Sequence, residues 1–135
     1  MAYQYAGESN NWSTSDVKTW LNGTFIASFT DEEKAKMLKV SISDGDNSDS
    51  STIINSSGSD MVFLLSATDA NNTAYFADNN ARICQIDGEA SYWWLRSPGS
   101  YNDLAAVDDE GSVHDDGFSV DDDRNDVRPA FWLAY

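Results

Sequence analysis

An α+β domain is what the sequence predicts, and three observations predict it. Helix-start signals fall in the first half, at Ser13-Thr14-Ser15-Asp16 and Thr30-Asp31-Glu32-Glu33. A short apolar run, Met61-Val62-Phe63-Leu64-Leu65, stands mid-chain between turn-forming flanks. The last third then repeats single valines separated by Asp, Ser and Gly, the pattern of short strands joined by turns.

Taken in order, Ala2–Asn11 places Tyr3 and Tyr5 in alternation with small or polar residues, as in a short strand. Ser13–Asp16 opens a helix with Val17, Trp20 and Leu21 at helical spacing, and Gly23 is its expected stop. Thr30 with Glu33 forms a capping box, and the helix it opens is expected to run to about Val40 with Ala35 and Leu38 on one face. Residues 43–60, rich in Ser, Asp, Asn and Gly, read as a loop or mobile excursion. Met61–Leu65 reads as a central buried strand. Ser66 or Thr68 caps a third short helix through Tyr75-Phe76. Tyr92–Arg96 is strand-like and ends at Ser97-Pro98-Gly99. Val107, Val113, Val120 and Val127 recur at spacings of 6, 7 and 7, one per expected strand, with Gly111 and Gly117 between them. Pro129–Leu133 is a closing apolar strand.

Composition limits the function. The 135 residues suit one domain spanning 1–135, and 41% hydrophobic content with five Trp supplies a core. The net charge of −15 repels phosphate backbones and anionic lipid, so neither nucleic acid nor membrane insertion is expected. Ten of the 23 acids fall between residues 100 and 128, offset there by Arg124 and Arg128 alone. The lone Cys84 permits no internal disulfide and reads as a small buried apolar residue. No phosphate-cradling glycine loop is present, and one His with one Cys makes no zinc set, so no cofactor or metal is expected and no catalytic residue is assigned. The alternating acids Asp44, Asp46 and Asp49 lack the Gly and Glu positions of a calcium loop. His114 sits in an acidic turn with no nucleophile to serve. No signal peptide, lipidation signal or membrane-length apolar run is visible, which leaves the location open.

One string is more specific. Tyr92-Trp93-Trp94-Leu95-Arg96-Ser97-Pro98-Gly99, then Ala105-Ala106-Val107, Gly111, Val113, and Val127-Arg128-Pro129-Ala130-Phe131-Trp132-Leu133, resembles a group of microbial domains with a C-type-lectin fold. Trp12–Asp16, Trp20–Gly23, Asp31–Lys34 and Val62–Ser66 extend the resemblance over most of the chain. Several members of that group are variable proteins of diversity-generating retroelements, in which error-prone copying at adenines rewrites the 3′ end of the gene. The resemblance implies a C-type-lectin-like domain of two or three short helices and a small, twisted, mostly antiparallel sheet. It further implies diversified residues within about 93–132 that bind a ligand on a fixed scaffold.

The residues permit a partial check. An AAY asparagine codon mutated at its adenines yields Asn, Asp, His, Tyr, Ser, Gly, Phe, Leu or Arg, but never Trp, Lys, Glu or Met. Between Gly99 and Val127 every position outside the repeated string fits except Glu110, and Lys is absent. Turn chemistry alone also favours Asp, Asn, Ser and Gly; it accounts less well for Tyr101, Leu104 and Phe118. The expected ligand-binding residues are Tyr101, Asn102, Asp103, Leu104, Asp108, Asp109, His114, Asp115, Asp116, Phe118, Asp121, Asp122, Asp123 and Asn125. Trp93, Trp94, Arg96, Arg128 and Trp132 are the expected structural frame: the Trp residues and Phe131 bury large apolar areas, the valines pin one face of each strand, and the two arginines bind carbonyls or a carboxylate. The expected partner is a macromolecule, a protein or cell-surface target of basic character, which suits a surface, virion or secreted protein. The other readings are a fixed-specificity carbohydrate or adhesion module, an enzyme by analogy with related sulfatase-maturing proteins, and a purely structural surface domain. The tryptophan-containing calcium motif of sugar-binding lectins is absent.

Overall fold

A computed structural model describes residues 1–4 and 9–134. It contains four α-helices of four or five residues: α1 (Asp16–Trp20), α2 (Asp31–Ala35), α3 (Ala67–Ala70) and α4 (Asn79–Arg82). Two antiparallel sheets follow. One pairs β1 (Cys84–Ile86) with β2 (Glu89–Ser91); the other orders β3 (Trp93–Pro98), β4 (Leu104–Val107) and β5 (Val113–Phe118) as a meander. The architecture is therefore α+β, with more and shorter helices than the sequence suggested.

The cap chemistry acts where the sequence placed it. The Ser15 side chain accepts from the Lys18 N–H to start α1, and Thr30 and Glu33 exchange both bonds of a capping box at α2. Ser66 and Asp69 do the same at α3. The ends differ. Gly23 does not stop the first helix; a π-helical turn carries the chain through Leu21–Phe25 and a 3₁₀ turn through Ile26–Ser28. Conversely α2 ends at Ala35, an exposed residue, because Met37 leaves to pair with Leu133 and Leu38 N–H donates to Trp132 O at 2.8 Å. A tertiary strand contact outbids helix propensity there. The expected N-terminal strand is absent at Ala2 and Tyr3, which are simply buried, while Tyr5 lies outside the described residues.

Met61–Leu65 is extended and buried at Val62, Phe63 and Leu64, yet it is not a laddered strand. Only Phe63 forms a two-bond bridge, with Ala130. Side chains serve the remaining backbone groups: Asn22 binds Met61 N–H, Val62 N–H and Val62 O, and Arg96 Nη1 donates to Leu64 O at 2.9 Å. Residues 43–60 are a loop but not an excursion. Val40 pairs with Ile54 and Asp60, Ile53 is buried, and the Asp60 carboxylate accepts from Trp12 Nε1 at 3.0 Å.

The period of two in β3 and β4 divides the core. Trp94, Leu104 and Ala106 face one cluster with Trp12, Leu21, Val40 and Phe63. Trp93, Leu95, Ala105 and Val107 face the other with Ala67, Ala70 and Phe76. Every residue of β4 is fully buried, so burying each large side chain on these strands contributes about 1.5–3 kcal/mol from two sides at once. The valines do not pin one face: Val107 and Val113 join the second cluster, whereas Val120 and Val127 join the first from turns rather than strands. Phe131 and Trp132 are half-buried, less covered than expected, because the closing segment lies at the margin of the first cluster.

Candidate functional site

The expected binding residues ride on three connectors around the β3–β5 sheet. The first is the Gly99–Asp103 turn. Gly99 N–H donates to Asp103 O at 2.8 Å, Ser100 N–H to Asp116 O at 2.7 Å, and Asn10 Nδ2 to Asp103 O at 2.9 Å. Tyr101 stands at its tip, 99% exposed, with φ +54°. A bulky aromatic residue in the left-handed region is strained, and nothing in the core rewards this ring for being there. Asn102 is exposed beside it and Asp103 half-buried.

The second connector is the turn into β5 and its edge. Asp108 caps it: one carboxylate oxygen accepts from Glu110 and Ser112 N–H, the other lies 2.7 Å from His114 Nε2. Burial pushes the Asp108 carboxyl up, but the His114, Ser112 and Glu110 hydrogen bonds outweigh it and hold it below its ordinary value. Gly111, at φ +81°, passes so close to Asn79 that a Cβ would sit 1.9 Å from its carbonyl oxygen. Gly117, at φ +89°, occupies the bulge where β5 slips against β4, and a Cβ there would lie 2.5 Å from Leu104 O. Asp109, Asp115 and Asp116 are exposed.

The third is the turn through 119–126. Asp122 accepts from Arg124 N–H and Nε at 3.0 Å each, and from Nη2 at 2.8 Å. The Arg124 bonds lower the Asp122 carboxyl from its usual range. Asp121 and Asp123 are exposed. The second and third connectors meet in a row of rings: His114 lies 5.3 Å from Phe118, and Phe118 packs edge-on to Tyr92 at 5.6 Å.

Two of the expected surface residues are not on the surface. Leu104 is the first residue of the central strand and is fully buried; its pairing with Phe118 turns it into the first core cluster. Asn125 is 3% exposed because the chain at Asp126 folds back onto β3, exchanging bonds with Tyr92 and Trp94. Both belong to the scaffold side of the sheet.

Beneath these loops lie buried ions that sequence reasoning only half anticipated. Arg96 is 2% exposed and pairs with fully buried Asp69 at 3.1 Å, donating also to Leu64 O and Ser48 O. Burial lowers the Arg96 guanidinium and Asp69 counters it. Arg82 was missed. Its guanidinium donates to Gly111 O at 2.7 Å, to Ala70 O at 3.1 Å and to Asn79, and its own carbonyl accepts from Trp93 Nε1 at 3.0 Å. Arg128 stacks over Trp93 at 4.8 Å and Phe76 at 5.3 Å, more a cation–π clamp than a hydrogen-bonding one. Cys84 is half-buried rather than core, on the short β1–β2 hairpin whose Asp87-Gly88 turn was a readable signal.

A family model described as a domain of unknown function (DUF6273) matches residues 2–135. The chain belongs to this family. No curated protein and no solved structure matches it. Among the described residues, no helix is long and apolar enough to cross a membrane, and no three His, Cys, Asp or Glu side chains are grouped to hold a metal ion. Asp44, Asp46 and Asp49 instead serve separate partners, Ser13, Ser48 and Ser51 respectively. For this family member the chemistry on offer is non-covalent: exposed Tyr, Asn and Asp side chains on hydrogen-bonded turns above a dry base.

Proposed function

We propose that this protein is a target-recognition domain, a variable protein of a diversity-generating retroelement on a C-type-lectin-like scaffold, binding a protein or cell-surface target through the loops of residues 99–124. The observation that carries the reading is Tyr101. A fully exposed ring on a strained backbone contributes nothing to the fold, and rigid exposed tyrosine is the side chain that recognition loops use for contact area at low entropic cost. Support also comes from the separation of roles. Trp93, Trp94 and Arg96 are buried, whereas Asn102, Asp109, Asp115, Asp116, Asp121 and Asp123 face solvent and leave the core untouched. Leu104 and Asn125 are withdrawn from the solvent-facing set.

The deciding observation is the neighbouring DNA. A near-copy of the codons for about Trp93–Trp132, differing mainly at adenines and adjacent to a reverse transcriptase gene, is expected. Differences should fall at Tyr101, Asn102 and the exposed Asp positions and spare Trp93 and Arg96. A locus without such a repeat would overturn the reading. Ten acids in this segment favour a basic target, with association that slows as salt rises.

A further inference from the structure

The loops enclose one concavity, of about 280 Å³, lined by Tyr92, Phe118, Asp122, Arg124 and Asn125. That is below the usual range of roughly 300–1,000 Å³ for drug-sized ligands, and it suits a single side chain. Two of its walls are aromatic, the edge-on pair Tyr92 and Phe118.

The supply of hydrogen bonds in this wall is one-sided. Both Asp122 oxygens already accept from Arg124, so the only carboxylate lining the pocket is neutralised from within. Arg124 itself is exposed and brings a guanidinium to the rim. Asn125 is 3% exposed, and its Nδ2 is a buried donor with no partner among the described residues. A buried N–H without an acceptor is a standing cost that a ligand oxygen can remove. What fits is a ring with an acceptor at its end. A cation does not fit: it would meet a guanidinium, a spent carboxylate and an amide donor.

We propose that this pocket is the anchoring point of the recognition surface and receives a tyrosine side chain of the protein target. Its ring packs against Tyr92 and Phe118, and its phenolic oxygen accepts from Asn125 Nδ2. This rests on the target-recognition reading above and names the group that the surface grips. The two charge effects then divide the task. The acidic loops attract a basic partner from a distance, while the pocket selects a neutral aromatic group on contact.

The test is an NMR titration of isotope-labelled full chain with N-acetyl-tyrosinamide, N-acetyl-phenylalaninamide and N-acetyl-argininamide at fixed ionic strength. The tyrosine amide should shift the Asn125 side-chain amide and the Tyr92 and Phe118 rings saturably. The phenylalanine amide, lacking the acceptor, should bind about tenfold more weakly, and the arginine amide should leave these signals in place. Asn125→Asp keeps the side-chain shape and removes the donor, so it should abolish the preference for tyrosine over phenylalanine. Asn125→Ala provides a second check. Equal binding of tyrosine and phenylalanine amides, saturable arginine binding at these rings, or shifts confined to other residues would each overturn the proposal. A template repeat found together with a silent pocket would leave the recognition reading standing without this anchor. A responsive pocket at a locus with no repeat would do the reverse.

Discussion

Two regions of this molecule are rich in charge and treat it in opposite ways. At the base, Arg96, Asp69 and Arg82 are buried, and each is held by several partners drawn from distant segments. In the loops of residues 99–126 the acids are mostly exposed, and those that bond do so within a few residues: Asp108 to Glu110 and Ser112, Asp121 to Ser119, Asp122 to Arg124. The base uses charge to join the first half of the chain to the sheet. The loops use it to close their own turns. Side chains in the loops can therefore change without disturbing the fold, except where backbone geometry or burial intrudes.

The largest break in that contrast should come at Arg96. Arg96→Met leaves Asp69 buried without its cation, at a cost of about 3–5 kcal/mol in urea unfolding, and Asp69→Asn in the same chain should restore much of the loss. A cost below about 1 kcal/mol would mean that the ion pair does not join the halves. Next is Gly117→Ala, which forces a Cβ toward Leu104 O at a positive φ and should cost about 1–3 kcal/mol. Its neighbour Asp116→Ala, exposed in the same strand, should stay within about 0.5 kcal/mol. Equal effects would erase the distinction between loop backbone and loop side chain. Arg128→Ala removes a half-buried cation from the faces of Trp93 and Phe76 and should cost about 1 kcal/mol, read as a lower melting temperature.

Acid sharpens the comparison from the loop side. Asp49 has its carboxyl lowered from 3.8 to about 2, chiefly by the Ser51 hydroxyl and N–H, with Asn72 and Tyr75 adding to it. A carboxyl depressed in the folded state stabilises fully above its ordinary value and loses that contribution as pH falls through the folded one. The wild type should therefore lose stability between about pH 4 and 2 more steeply than Asp49→Asn; parallel melting curves would remove Asp49 as a tether of the 43–60 loop.

What the sequence made legible follows range of interaction. Local signals read true: the caps Ser15, Thr30 and Ser66 depend on residues three positions away. Helix ends did not, because α2 stops where Leu133 competes for Met37, a partner about a hundred residues off. The same reason hid the role of Asn22 and Arg96 as stand-ins for a strand beside Met61–Leu65, and hid Arg82 altogether. At the site, the alternation of Asp, Ser and Asn marked the exposed turns well. It misjudged Leu104 and Asn125, since a polar or reachable codon says nothing of where the chain folds back against β3.

Tyr101 supplies the smallest effect and the most pointed one. Its left-handed backbone is one that Asn adopts at little cost and a ring does not. Tyr101→Asn should therefore stabilise the protein slightly, by roughly 0.5 kcal/mol, although it deletes a large side chain. A core aromatic would behave oppositely, costing about 3–5 kcal/mol on truncation. Asn is also the residue that an unmutated AAY template codon would place there. The substitution returns the position to its starting letter, and under the recognition reading target binding should weaken while the melting temperature holds or rises. A melting temperature that falls with Tyr101→Asn would make this ring part of the scaffold, and the division between base and loops would have to be redrawn through the tip itself.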